Sequence, residues 1–138
     1  MKRHESIQKI MTDNPVTLQL GQKLSEASAI FRQHNIHHIP VMNHNQPVGM
    51  LSETDLLRLV YDAANTDSRM QDTLMDQQHS IADVMSDDLQ TLPMNATVKE
   101  AAEILSDSNR HSVLVTDGTL LAGIVTSTDL IRYLHEQF

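Results

Sequence analysis

Shifted by 74 residues, the chain matches itself. Gly49 falls on Gly123, Met11 on Met85, Thr17 on Thr91, His37 on His111 and Asp55-Leu56 on Asp129-Leu130, with no gap between residues 10–58 and 84–132. Fifteen of the forty-nine aligned pairs are identical, and others keep their character: Ile39 with Val113, Leu51 with Val125, Ser52 with Thr126. Chance likeness between two amphipathic segments explains paired apolar residues, but not Gly, His, Asp and Arg in one ungapped register. The chain is a duplication, and both copies must fold alike.

Each copy spells the same string of elements. Pro15 to Leu18 is short and extended, and Leu24 to His34 spaces Leu24, Ala27, Ile30 and Phe31 as one helical stripe. A strand from Ile39 to Met42, turn residues Asn43 to Pro47 and a second strand from Val48 to Leu51 read as a hairpin, and Ser52 opens a helix through Leu56, Leu57, Leu59 and Val60. The second copy predicts a helix from Val98 to Ser106, strands Val113–Thr116 and Leu121–Val125 about an Asp117-Gly118-Thr119 turn, and a helix from Ser127 to His135. The unit is β-α-β-β-α, an α+β fold. One unit of about fifty residues exposes too much of its small sheet to stand alone, so the two are expected to pack sheet to sheet about a pseudo-twofold axis.

Composition narrows the chemistry. The 138 residues contain no Cys, which removes disulfides, thiolate metal sites and thiol nucleophiles. A net charge of −8 and an aromatic content of 3% argue against a basic footprint for duplex DNA and against stacking platforms for single strands. No apolar run approaches the ~20 residues of a membrane span, and the start of the chain lacks an apolar leader core, so a soluble cytoplasmic protein with no membrane contact is expected.

Two segments carry the chemistry: Gly49-Met50-Leu51-Ser52-Glu53-Thr54-Asp55 and Gly123-Ile124-Val125-Thr126-Ser127-Thr128-Asp129. Each is a strand running into a helix. The glycine permits close backbone approach, the hydroxyl stands where an N-cap belongs, and the free N–H groups of a helix start suit an anion such as phosphate. The Asp one turn in offers two oxygens to the vicinal hydroxyls of a ribose. The same spacing is also a capping box that needs no ligand. Both readings follow from these residues alone.

The chain resembles a stand-alone tandem CBS-domain protein, a Bateman module. The resemblance is carried by Ile10-Met11-Thr12 with Pro15-Val16-Thr17, by His38-Ile39-Pro40-Val41, by Val84-Met85-Ser86 and by the two glycine segments, and it runs from about Ile7 to Leu134. It implies a CBS-domain pair, with a first motif over residues 1–65, a connector over 66–79 and a second motif over 80–138. It further implies up to two inter-repeat sites for adenine nucleotides, a regulatory role without catalysis, and a disc-like homodimer. One site would take Thr126, Thr128 and Asp129 for phosphate and ribose, Ile124 against the base, and Thr12, Thr17 and Ile36 around the adenine, with His37 and His111 beside the phosphate path. Its mirror would use Met50, Ser52, Thr54 and Asp55 with Ser86, Thr91 and Arg110. Leu89 and Leu114 replace the family's usual Pro, present as Pro15 and Pro40, so the Asp129 site ranks first.

The resulting expectation is a sensor of AMP or a related adenine nucleotide, with no required cofactor and a downstream protein partner that the residues do not name. The charge of −8 predicts weak steering and makes a monophosphate or a dinucleotide easier to hold than ATP without a metal ion. Three rivals remain. Clefts that stay empty would leave a structural or partner-binding module, with Leu56, Leu57, Val60, Leu130, Ile131 and Leu134 as an apolar helix face. His34, His37, His38 and His44 invite a metal, yet a helix end and alternating strand positions do not converge on one point. For an enzyme, there is no Cys, no Ser in a nucleophile-elbow pattern and no His-Glu-x-x-His, and the Asp/His pairs that remain are generic. Met70, Met75, Met85 and Met94 are expected to fill core and contact surfaces.

Overall fold

The protein is described by a computed structural model that covers the backbone of residues 4–62 and 68–138 and the side chains of residues 4–59 and 72–138. In chain order a 3-10 turn (Ile7–Lys9) leads to β1 (Thr12–Asp13), β2 (Leu18–Gln19), α1 (Leu24–Gln33), β3 (His38–Asn43), β4 (Gln46–Ser52), α2 (Glu53–Asp62) and α3 (Ser68–Gln78). There follow α4 (Ile81–Val84), β5 (Thr91–Pro93), α5 (Val98–Leu105), β6 (Ser112–Asp117), β7 (Leu120–Thr126) and α6 (Ser127–Glu136). The β-α-β-β-α string is present twice. Val60 and Met70 lie outside the described side chains.

Two compact units result, Val16–Asp88 and a second made of Met1–Pro15 with Leu89–Phe138. Their borders do not follow the borders of the copies: each copy's leading segment joins the sheet of the other. In the second unit β1 pairs antiparallel with β7, Thr12 opposite Ile124, giving the order β1-β7-β6-β5. In the unit Val16–Asp88 the sheet is β2-β3-β4, and Ser86 bridges Met50 through reciprocal N–H···O bonds of 2.8 and 2.9 Å. Ile7 and Ile81, aligned by the 74-residue shift, are both fully buried under these sheets.

Within Val16–Asp88 the core gathers Leu18, Leu24, Ala27, Phe31, Ile39, Val41 and Leu51, alternate strand positions against one helical stripe. Both hairpins close on two residues, not on the longer turn expected at Asn43–Pro47, because Asn43 pairs with Gln46 and Asp117 with Leu120. Gly118 takes φ +63° in one turn, and His44 takes φ +58° in the other. A non-glycine residue there is costly. The side-chain amide of Gln19 grips it, accepting from the His44 N–H and donating to its carbonyl, both at 3.0 Å. Pro40 has no N–H to give its neighbour, whereas Leu114 at the matching position donates to the Gln90 carbonyl at 2.8 Å. Accordingly β2 has two residues and β5 three.

The connector does structural duty. Met75 of α3 is buried in the core of Val16–Asp88, and Asp76 accepts from the Ser25 N–H at 2.9 Å and the Ser25 hydroxyl at 2.5 Å. The first turn of α1 needs this. Its N-cap, Lys23, has no acceptor, while Thr97 at the aligned position accepts from the Glu100 N–H at 3.2 Å. Asp76→Ala is therefore expected to lower the unfolding free energy by about 1 kcal/mol, and adding Lys23→Thr should recover part of it; urea midpoints at constant slope measure both.

Ahead of the Met50 bridge, α4 is held by a capping box: Ser80 N–H donates to Asp83 Oδ2 at 3.0 Å and Asp83 N–H to Ser80 Oγ at 3.3 Å. The Ser80 N–H, then its hydroxyl, hold the Asp83 carboxyl below its ordinary range. With the folded pKa depressed, this contribution is present above the unfolded value and lost as pH falls through the folded one. Asp83→Ala should thus unfold earlier than the native chain at neutral pH, and denaturant curves repeated in acid should show that gap closing.

Candidate functional site

Each hairpin ends by handing its last residue to a helix as the cap. Thr126, extended at φ −110° and ψ 167°, accepts the Asp129 N–H at 3.3 Å. The Asp129 Oδ2 returns the favour, accepting the Thr126 N–H at 2.9 Å and its hydroxyl at 3.1 Å. The capping box read from the spacing forms without a ligand. It consumes one carboxylate oxygen; the other, Oδ1, stands 3.6 Å from Arg132 Nη1, and the side chain is 14% exposed. The Ser127 N–H donates to the His111 carbonyl at 3.2 Å, tying the start of β6 to the start of α6.

The start of α2 follows this plan in its N1 and N3 amide bonds, and its most marked change is in charge. Asp55 N–H donates to Ser52 Oγ at 3.1 Å, Asp55 Oδ1 lies 3.6 Å from Arg58 Nη1, and the Glu53 N–H donates to the His37 carbonyl at 2.9 Å. Asp55 is 33% exposed. The change is Glu53, whose Oε1 comes within 3.5 Å of His37 Nδ1 where the other copy has Ser127.

The glycines are explained by methionine. A Cβ on Gly49 would collide with the Met85 thioether, and one on Gly123 would sit 2.8 Å from both Met11 Sδ and the Thr12 carbonyl oxygen. The close backbone approach expected at these positions is made by the leading segment of the other copy. That segment brings Thr12 to Ile124 and Ser86 to Met50, beside the two helix starts.

Thr12, His111, Ile124, Thr126, Thr128 and Asp129 therefore share one compact unit, and Met50, Ser52, Thr54, Asp55 and Ser86 share the other. Thr17, Ile36 and His37 fall in Val16–Asp88, and Thr91 and Arg110 in the other unit. Thr17 and Ile36 are half-buried, Thr91 and His37 exposed, and Ile36 packs on the core. Three features were not singled out from the sequence: the Arg58 and Arg132 partners, legible as an i,i+3 pattern; the Glu53–His37 contact; and the methionine seats. Among the described residues no group of three His, Asp or Glu is placed to hold a metal, and no helix is long and apolar enough to cross a membrane.

The comparisons define the class of protein. The CBS domain family matches residues 7–62 and again 81–136, so the chain belongs to the CBS-domain family and carries two copies of the domain. It is 27% identical over 125 residues to the CBS domain-containing protein YhcV of Bacillus subtilis, covering 91% of this chain and 82% of that one. It is 28% identical over 132 residues to the uncharacterized protein MJ1404 of Methanocaldococcus jannaschii, covering 93% of this chain and 31% of MJ1404, so it spans about a third of that relative. Among solved structures, the CBS domain pair of protein MJ0100, in complex with 5′-methylthioadenosine and S-adenosyl-L-methionine, superposes with a TM-score of 0.74 at 26% identity, covering 94% of this chain and 98% of that one. CBSX2 in complex with AMP superposes with a TM-score of 0.76 at 19% identity, covering 96% and 98%, a likeness of fold.

The two glycines differ in what opposes them, and stability should report it. Gly123→Ala meets a backbone oxygen and should cost about 1–3 kcal/mol, whereas Gly49→Ala meets only the flexible Met85 side chain and should cost less. Denaturant unfolding of both, with Met85→Ala added to Gly49→Ala to relieve the contact, gives the ranking; equal costs would contradict it.

Proposed function

We propose that the chain is a regulatory ligand-sensing module that holds an adenine nucleotide of the AMP type and signals by a change of conformation or of dimer shape, without catalysing a reaction. The observation that carries this reading is the repeated helix start, in which a hydroxyl, an Asp one turn in and an Arg three residues further on stand beside a strand residue from the other copy's leading segment. That the MJ0100 CBS domain pair, at 26% identity, binds 5′-methylthioadenosine and S-adenosyl-L-methionine supports an adenosine-type ligand for a domain pair of this fold. In the Asp129 half-site, Thr126 and Thr128 face the phosphate, Asp129 Oδ1 takes a ribose hydroxyl, Ile124 with Thr12 flanks the base, and His111 borders the phosphate path. In the Asp55 half-site, Ser52, Thr54, Asp55 and Met50 act with Ser86.

A second reading has an observation of its own. The Thr126–Asp129 box is complete as it stands, which is what a purely structural module with empty clefts would require. As for partners, Leu57 and Ile131 occupy matching positions and are 56% and 65% exposed. This pair of apolar side chains supports a homodimer built on α2 and α6, and light scattering that returns a monomer would oppose it.

Calorimetry decides between sensing and structure. AMP, ADP, ATP, NAD, S-adenosylmethionine and cyclic dinucleotides are titrated into the native chain, into Asp129→Asn and into Asp55→Asn, each checked for folding by circular dichroism. AMP is expected to bind the native chain below millimolar and at least about tenfold more weakly to Asp129→Asn, the loss of a charge-assisted hydrogen bond. No binding by any ligand would leave the structural reading standing.

A further inference from the structure

The two helix starts share their N1 and N3 amide bonds but differ at their first residue, and Asp129 also makes a return bond to its cap. Position N1 is Glu53 in α2 and Ser127 in α6, and the 74-residue shift aligns them. Both N1 amides are spent in the same way, on the carbonyls of His37 and His111. Both N3 amides are spent on the capping hydroxyls of Ser52 and Thr126. What differs is charge. The Glu53 carboxylate stands at the first position of α2, 35% exposed and 3.5 Å from His37 Nδ1, so a negative charge already sits at the positive end of that helix. At α6 a neutral hydroxyl stands there instead.

We propose that Glu53 makes the two half-sites select ligands of different charge: the α6 half-site takes adenosine bearing a 5′-phosphate, and the α2 half-site takes adenosine bearing a neutral or cationic 5′ substituent, such as a thioether or a sulfonium. This rests on the reading of the two turns as adenosine half-sites. A phosphate dianion placed about 6 Å from a carboxylate loses about tenfold in affinity even at the dielectric of water, and more where water is partly excluded. A neutral thioether loses nothing, and a sulfonium gains a counter-ion. A duplicated chain would in this way register two adenosine derivatives at once, through one substitution at one helix position.

The variants are chosen so that folding survives. Glu53→Gln keeps shape and removes charge. Ser127→Glu puts an acidic residue where a helix start favours one. The full chain is titrated calorimetrically with AMP and with 5′-methylthioadenosine. Native protein is expected to bind AMP at the Asp129-dependent site and 5′-methylthioadenosine at the Asp55-dependent one. Glu53→Gln should strengthen AMP binding at the Asp55-dependent site about tenfold or create it, and Ser127→Glu should weaken AMP about tenfold while leaving 5′-methylthioadenosine within about threefold. Should both variants bind AMP and 5′-methylthioadenosine as the native chain does, Glu53 serves the helix dipole alone and charge selection is overturned while the nucleotide reading stands. Should neither ligand bind any of the three proteins, the nucleotide reading itself falls and takes this inference with it.

Discussion

A methionine laid across a glycine is the contact on which the rest of the arrangement depends. Met85 covers Gly49 and Met11 covers Gly123 at a distance that leaves no space for a Cβ. Because the hairpin strand is bare there, the leading segment can come close enough to pair, through the Met50–Ser86 bonds in one unit and the Thr12–Ile124 register in the other. Pairing in turn sets a hydroxyl-bearing residue next to the strand position two before the helix cap. Thioether and glycine suit each other physically: the flexible, polarizable side chain fills an irregular gap, and the glycine supplies the gap.

From that contact outward, the polar groups of the helix starts are organised before any ligand is considered. The cap hydroxyl, the N3 amide, the return bond of Asp129 and the N1 bond to a histidine carbonyl tie together strand end, helix start and strand beginning. Such preorganisation lowers what a ligand must spend on ordering. It also competes with the ligand, because a carboxylate oxygen engaged in the box must be shared. The arrangement at Asp129 divides the labour, one oxygen to the cap and the other toward Arg132. At Asp55 the side chain is more than twice as exposed, so the two copies differ in accessibility as well as in charge.

Much of this was legible in the residues and some was not, for physical reasons. Helices and strands follow from the apolar stripe of Leu24, Ala27 and Phe31 and from the alternation around Ile39 and Val41, which are local signals, and their ends fall within a few residues of expectation. The helix caps at Ser52 and Thr126 were legible because a cap bonds three residues away. Which sheet the leading segments join was not, since a 74-residue repeat looks the same whether a segment pairs with its own copy or with the other. The Asp76 bond to Ser25 was equally hidden: it spans 51 residues, and only the missing acceptor at Lys23 hints that something must supply one. Gly49 and Gly123 were recognised as points of close approach, while the identity of what approaches required the fold.

The departures from the repeat are as informative as the repeat itself. Lys23 for Thr97 removes a cap that α3 then replaces, and Pro40 for Leu114 removes an amide and shortens a strand pair. Each is a loss in one copy with a compensation or a local cost nearby, as expected when two halves drift under a shared requirement to fold. Glu53 for Ser127 is different in kind. An acidic N1 residue already favours the helix dipole, so folding gives no reason for Ser127 to be without one. Stability alone would favour an acid in both places. With Ser127 at N1, the proposed charge selection has its physical basis: no carboxylate at that position opposes an anionic ligand at α6.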